Sequence, residues 1–178
     1  MKAMSKKRKT VLLLAATAVA LVLVITLSLL RWHAFFELRD FRAASNTDAA
    51  LGEALPSLAD YLPMEGEFGQ SSRQSADGSR TVTVAGFPDP VLGSSRVIAV
   101  ALGEGAGEDY HILGVHVGDG PQSAYTALEA HGYKVTRGTS SSIIGERGRI
   151  RISFALTDGK ITAITARVMT TNLFGVQF

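Results

Sequence analysis

The sequence predicts an α+β protein in which an N-terminal transmembrane helix is followed by helices and a small antiparallel sheet with a C-terminal β-hairpin. Three observations predict this class. Positions 11–30 form a run of uncharged residues, helix-like patterns occupy most of positions 32–55, and strand-like alternation begins at position 81. Helices first, then strands interrupted by one helix, is an order typical of α+β folds.

The apolar run at 11–30 has the length and composition of a membrane anchor. Its residues are mostly Leu, Val, Ala and Ile, and at about 1.5 Å per residue it extends for about 30 Å, the thickness of a bilayer core. A cleaved signal peptide is the alternative, but it would need a shorter apolar core and a small-x-small site. Leu29, Leu30, Arg31 and Trp32 follow instead. We therefore expect the helix to be retained as a signal-anchor.

Basic residues predict the orientation of this anchor. Five of them lie in the head formed by residues 1–10, whereas only Arg31, Arg39 and Arg42 lie just beyond the run. Lys and Arg resist translocation, so the head is predicted to be cytoplasmic and residues 31–178 extracytoplasmic. Trp32 and His33 are then expected near the headgroup layer.

Charge and cysteine content exclude several classes of partner and chemistry. Five of the 18 Lys and Arg lie in the head, which leaves 13 against all 16 Asp and Glu, a formal charge of −3 for the exported part. Nucleic acid is therefore not an expected partner. The chain has no Cys, so disulfides, lipid attachment to cysteine and thiol chemistry are excluded.

The exported part divides into a juxtamembrane helical connector, 31–60, and an extracytoplasmic α+β domain, 61–178. In the connector, 32–44 is predicted to prolong the anchor helix, and 48–55 to form a second helix between a Thr47 cap and Pro56. Residues 69–80 are rich in Ser and Gly without apolar periodicity. They are predicted to form a surface loop.

Strands are predicted over 81–85, 96–102 and 110–117, followed by a helix from Pro121 to about His131. Gly132 is well placed to end this helix in the left-handed conformation. Residues 149–156 alternate apolar with basic or small residues, and Asp158-Gly159 predicts a hairpin turn into 160–169. A two-residue turn would place Phe154 opposite Ala163, whereas a bulge or a longer turn would place Ile164 opposite Ile152. Both registers remain open.

Several of these segments resemble a known group of bacterial exported domains. The segments are His111–Asp119, Leu128–Tyr133, Ile150–Phe154 and Asp158–Ile164. They are similar to the repeats of β-lactamase-inhibitor proteins and to small outer-membrane assembly lipoproteins, and Ala85–Asp89 resembles an element of membrane-anchored Gram-positive relatives of unassigned function. The chain lacks the lipid-bearing Cys of the lipoproteins. The resemblance implies a non-catalytic binding or assembly module in the cell envelope.

Two groups of residues could carry chemistry. His111 and His116, with Asp109 and Asp119 nearby, suggest a metal site, but five residues apart on one strand their rings would point to opposite faces. No metal, cofactor or catalytic residue is therefore predicted. Arg147, Arg149 and Arg151 would project to one side of a strand and form a basic stripe suited to an anionic partner. A solvated sheet face balanced by Glu146 is the alternative for these arginines.

The sequence therefore predicts a single-pass membrane protein with an extracytoplasmic module that binds an envelope protein or an anionic envelope polymer without turnover. An envelope hydrolase or metal-dependent enzyme using His111, His116 and nearby acids is the alternative. A passive spacer is a third.

Overall fold

The computed structural model describes residues 6–58, 60–64, 70–86 and 95–169. The first half of the predicted cytoplasmic head, and all but Gly86 of the predicted break at 86–90, lie outside these residues. So do positions 170–178.

One long helix precedes a sheet that contains most of the remaining chain. The elements are α1 (Lys6–Ala43), β1 (Tyr61–Met64), β2 (Gln70–Ser75), β3 (Arg80–Ala85), β4 (Val97–Leu102), α2 (Pro121–Ala130), β5 (Lys134–Gly138), β6 (Ser142–Arg147), β7 (Ile150–Thr157) and β8 (Lys160–Val168). The eight strands form one sheet in the order β1-β2-β3-β4-β8-β7-β6-β5. The predicted combination of helices and antiparallel sheet is confirmed, but the sheet is large and the described residues contain only two α-helices.

The sheet consists of two similar halves. Strands β1–β4 follow one another as an antiparallel meander, β5–β8 form a second, and the last strands of each, β4 and β8, pair antiparallel at the centre. The segments Thr81–Ala85 in β3 and Arg151–Ala155 in β7 share one alternating pattern that ends in Ala. The strand order is therefore symmetric about the central β4–β8 pair.

One face of the sheet carries the hydrophobic core. Its side chains come from alternate positions of β3, β4, β6, β7 and β8, and α2 covers part of it. Leu128 of α2 is fully buried and packs so closely over Gly145 of β6 that a Cβ at Gly145 would overlap its side chain. Neither of the two described helices packs against the other face.

Helix α1 connects the apolar run directly to this core. The part from Leu14 to Ala43 is long and apolar enough to cross a membrane, a property that membrane anchors share with signal sequences. The helix does not stop where the apolar run ends, so the predicted helical prolongation over 32–44 is confirmed. Leu38 and Phe41, which are 5% and 2% exposed, belong to the hydrophobic core.

The carboxylate of Glu37 binds the β6–β7 turn to α1, and this residue is buried, with 5% exposure. One of its oxygens accepts a hydrogen bond from the Arg149 backbone N–H at 3.2 Å, and the other lies 3.0 Å from His33 Nδ1. Gly148, with φ +54°, sits against the same carboxylate where no side chain would fit. Because buried carboxylates are costly without partners, these contacts hold the turn on the helix.

The second helix predicted over 48–55 does not form. Gly52 has φ +78° and donates its N–H to Val97 O at 2.8 Å, while Val97 donates to Glu53 O at 2.8 Å. Ala54 then pairs with Arg96. Hydrogen bonds to the start of β4 thus replace the helical ones, and they place Leu51 in the core with no exposure.

The surface loop predicted over 69–80 is confirmed only for the turn at 76–79, because residues 70–75 form β2 between β1 and β3. The third predicted strand, 110–117, is a pair of tight turns instead. Ile112 and Val115 bridge each other across Leu113 and Gly114, which both have positive φ. Both bridging residues are buried, so the apolar pattern reflects core burial and not a strand.

The predicted features of the C-terminal half are confirmed in part. Helix α2 begins at Pro121, and Gly132 takes φ +70° just beyond its end. The Asp158-Gly159 hairpin turn is present, and a bulge follows between Ala155 and Leu156. Next to the turn, Leu156 lies opposite Ile161, as a two-residue turn predicts. Beyond the bulge, Ile164 lies opposite Phe154 rather than opposite Ile152, so this part of the register matches neither predicted alternative.

We predict that Phe41→Ala lowers the free energy of unfolding by about 3–5 kcal/mol, because it removes a buried ring and leaves a cavity. Phe35→Ala is the matched control, since Phe35 lies on the same helix but is 55% exposed. Its effect should stay within about 0.5 kcal/mol. Denaturant unfolding of the full chain in detergent, followed by circular dichroism, measures both. Equal losses would contradict the packing of α1 in the core.

Candidate binding surface

The face of the sheet opposite the core is open and carries small and basic side chains; we call it the open face. Its residues follow from the strand registers, since directly paired residues in antiparallel strands point to the same side. One row crosses all eight strands through Lys134, Glu146, Arg151, Arg167, Ala99, Thr83, Ser72 and Met64. The next row runs through Arg137, Ile144, Ser153, Thr165, Ala101, Thr81, Gln74 and Leu62.

The middle of the open face is flat because its side chains are short. Ala99 and Ala101 of β4 lie between Thr81 and Thr83 on one side and Thr165 on the other. None of these side chains is large enough to stand far above the backbone. A partner can therefore approach the sheet closely around Ala101, whereas the Arg167 side chain extends past Ala99.

Charge on the open face is strongly one-sided. The β5–β8 half carries Lys134, Arg137, Arg151, Lys160 and Arg167, and the only acidic side chain among the described strand residues of this face is Glu146. The described strand residues of the β1–β4 half carry no charge on this face. Residues 31–178 as a whole contain more acidic than basic residues, so the acids are concentrated on loops, on helices and in segments outside the described strands.

Arg151 and Arg167 are directly opposite each other on β7 and β8. Like charges at paired positions destabilise a sheet. Interactions of the two arginines with other side chains reduce this repulsion. Arg151 turns away to Glu146, with Nε 2.7 Å from Oε1, and Arg167 reaches in the other direction to Gln70 Oε1 at 3.1 Å. Gln70 belongs to β2, so the Arg167 side chain extends along the face past Ala99.

The predicted arginine stripe is not formed as a row on one strand. Arg147 ends β6, and Arg149 precedes β7 on the far side of the turn at Gly148. Arg147 donates to Asp40 Oδ2 and His131 O, both at 3.1 Å, and Arg149 donates to Met169 O at 3.1 Å. Of the three, only Arg151 lies on the open face. Binding of an anionic partner by these arginines stays a prediction.

Most of the basic residues on the open face are not recognisable from the sequence pattern. Lys134 and Arg137 lie on β5, whose five residues are all exposed and show no apolar alternation. Arg167 lies in a predicted strand, but its pairing with Arg151 depends on the bulge that sets the β7–β8 register. The alternation over 149–156 is the one signal that could have identified this face.

His111 and His116 are neighbours in the structure, with ring centroids 5.4 Å apart. The expectation that they point to opposite faces is wrong, because the turn at Leu113-Gly114 folds the segment back on itself. The Gly114 N–H donates to His111 Nδ1 at 3.2 Å, and Asp119 Oδ2 accepts from the His116 backbone N–H at 2.9 Å. Among the described residues, however, no group of three or more His, Cys, Asp or Glu could hold a metal ion.

A second polar cluster centres on Asp48 and holds the 44–60 segment to the sheet. Its carboxylate accepts hydrogen bonds from the hydroxyls of Tyr61 and Tyr110 and lies 3.2 Å from Arg80 Nη1. Burial and the hydrogen bond to Asp48 raise the pKa of Tyr110. The Arg80 guanidinium also stacks over the Tyr110 ring at 4.4 Å. Each of these side chains contacts another of the cluster, which is typical of a structural network, although Arg80 Nε is buried without a hydrogen-bond partner among the described residues.

Comparisons with known proteins return no match to a family model, to a curated protein or to a solved structure.

We predict that the His pair makes stability fall in mild acid. Burial and the neighbouring His116 lower the pKa of His111 in the folded chain. In the unfolded chain this histidine has the ordinary pKa of about 6.5, so as the pH falls the unfolded chain binds a proton before the folded chain does. The free energy of unfolding should therefore decrease as pH falls through this value, and His111→Gln should flatten the decrease. His116→Gln should also flatten it by removing the neighbouring charge. Denaturant midpoints measured across this pH range give the slopes, and identical slopes in all three chains would contradict the prediction.

Proposed function

We propose that the chain is a single-pass membrane protein that displays its sheet on the extracytoplasmic side and binds an acidic protein partner through the open face, without turnover of substrate. The observation that carries this proposal is the charge of that face, five basic side chains against one acid in an exported part with a formal charge of −3. Complementary charge steers association and selects partners.

The apolar end of the open face favours a protein as the partner. Leu62 and Met64 of β1 are 62% and 41% exposed on this face. Interfaces between proteins are enriched in Met and Arg and combine an apolar part with a polar rim. An anionic wall polymer would engage the basic half but would gain little from exposed apolar side chains.

The membrane part of the proposal is supported by helix α1 and the basic head. Leu14–Ala43 is long and apolar enough to cross a bilayer, and the excess of Lys and Arg before it favours a cytoplasmic N-terminus. Because α1 continues into the core of the domain, cleavage at the end of the apolar run would leave its last turns as part of the exported protein. Retention of the whole helix gives the domain its attachment to the membrane.

A metal-dependent enzyme is the second candidate, and the closeness of His111 and His116 favours it. A cleft of about 560 Å³ lies beside this pair, lined by residues that include Glu108, His116 and Asp119. Imidazole is a ligand that zinc accepts. No group of three or more His, Cys, Asp or Glu among the described residues could hold a metal ion, so the binding proposal has the stronger support.

We predict that Arg151→Gln with Arg167→Gln weakens partner binding by on the order of tenfold or more, because charge-assisted hydrogen bonds contribute about 1.5–3 kcal/mol each. The partner is captured from intact cells with a membrane-impermeant crosslinker, and a photoreactive residue at Ala155 of the open face confirms the contact. Capture from outside also reports the side of the membrane. Binding of the captured protein is then measured with purified chains at two salt concentrations.

The matched control is Arg39→Gln with Arg73→Gln, which removes the same charge away from the open face, since Arg73 is paired with Val82 on the other side of the sheet. This control should bind as the wild type does. Equal loss in both double variants would indicate a general charge effect and contradict the proposal. Capture of wall polymer alone, with no protein, would contradict it as well.

A further inference from the structure

Helix α1 exposes a cluster of aromatic side chains immediately after the apolar run. Trp32, Phe35 and Phe36 are 68%, 55% and 37% exposed, and their spacing places them on one side of the helix. The rings contact one another, with centroids 5.8 Å apart for Trp32–Phe36 and for Phe35–Phe36. The opposite side of the helix, including Leu38, packs into the domain. This aromatic patch therefore lacks a partner within the described part of the chain.

The height of the patch along the helix matches the headgroup layer of a bilayer. With a rise of about 1.5 Å per residue, Trp32 to Phe36 lie about 3–9 Å beyond Leu30. The headgroup region occupies about 5–8 Å on each side of the hydrocarbon core. Trp is enriched at this level, and aromatic rings beside cationic groups are typical of it. The Arg39 guanidinium lies 5.0 Å from the centroid of Phe36.

Hydrogen bonds join the domain to the helix close to the aromatic patch. The Glu37 carboxylate accepts a hydrogen bond from the Arg149 backbone N–H at 3.2 Å, and Asp40 Oδ2 lies 3.1 Å from Arg147 Nη2. The β6–β7 turn therefore stands beside the helix within two turns of the aromatic patch. Between them lies a groove of about 320 Å³ lined by Leu29, Trp32, His33, Phe36, Glu37 and Arg147.

We propose that the aromatic patch is inserted in the outer headgroup layer of a phospholipid bilayer, so that the domain rests on the membrane at its β6–β7 turn and a lipid fills the groove. The argument for a lipid occupant is continuity, since one groove is lined both by Leu29 of the exposed apolar run and by Trp32 and Phe36 of the patch. The inference rests on the proposed membrane anchoring. Beyond that anchoring, it states that the domain lies directly on the bilayer surface in one fixed orientation.

The single tryptophan of the chain makes the position measurable. The decisive variant is Trp32→Phe with Phe36→Trp, which moves the fluorophore to the level farthest from the apolar run. The matched reference is Trp32→Phe with Thr157→Trp, because Thr157 is exposed at the opposite end of β7, about 23 Å along the strand from Ile150. Each chain is reconstituted into vesicles of phosphatidylcholine and phosphatidylglycerol, with and without lipids brominated near the headgroup.

The proposal expects strong quenching of the fluorophore at position 36 by brominated lipid and several-fold weaker quenching by iodide than in the unfolded chain. The reference at position 157 should show the reverse. Full iodide access at position 36, without quenching by brominated lipid, would overturn the proposal. Flotation of the vesicles separates this outcome from failure of the anchor, because a chain that is not anchored does not float with the lipid.

Discussion

The packing of the last turns of α1 into the sheet is the interaction on which the rest of the structure depends. Phe41 and Leu38 enter the core, and the neighbouring Glu37 holds the turn between β6 and β7. A helix that ended with the apolar run would remove Leu38 and Phe41 from the core, and residues 48–55 form no helix that could replace it. The same helix thus completes the core and extends into the apolar segment.

This arrangement leaves the two faces of the sheet with different roles. Helix α2 and the end of α1 both contribute to the core face, and neither described helix lies on the open face. Retaining Arg151 directly opposite Arg167 costs stability, and sites that cost stability are often retained for function. The short side chains around Ala101 give a partner close access to the sheet. These features support a binding role more strongly than a structural one.

The sequence predicts best those elements whose signals are local. Strand β7 has one buried and one solvated face, so Ile152 and Phe154 alternate with Arg151 and Ser153, and the Asp158-Gly159 turn follows from its conformational preference. Helix α2 is bounded by Pro121 and Gly132. The end of α1 is predictable because its apolar positions recur with helical spacing.

Elements that depend on distant partners are not predictable in this way. Strand β2 is polar on both faces, and its conformation comes from pairing with β1 and β3. Residues 48–55 have helical propensity, but hydrogen bonds between Gly52 or Glu53 and Val97 replace the helix. The basic character of the open face arises from cross-strand neighbours such as Lys134, Glu146 and Arg151, which are far apart in sequence. Only Arg151 of this set is identifiable from a local pattern.

Amide hydrogen exchange of the full chain in lipid nanodiscs tests the central claim most directly, since it reports which segments open together. If the end of α1 is part of the core, the amides of residues 37–43 lose protection at the same denaturant concentration as those of Ile152 and Ile164. Rapid exchange over 37–43, while the amides of β7 and β8 stay protected, would contradict the account. It would mean that the helix and the domain are joined only by the chain.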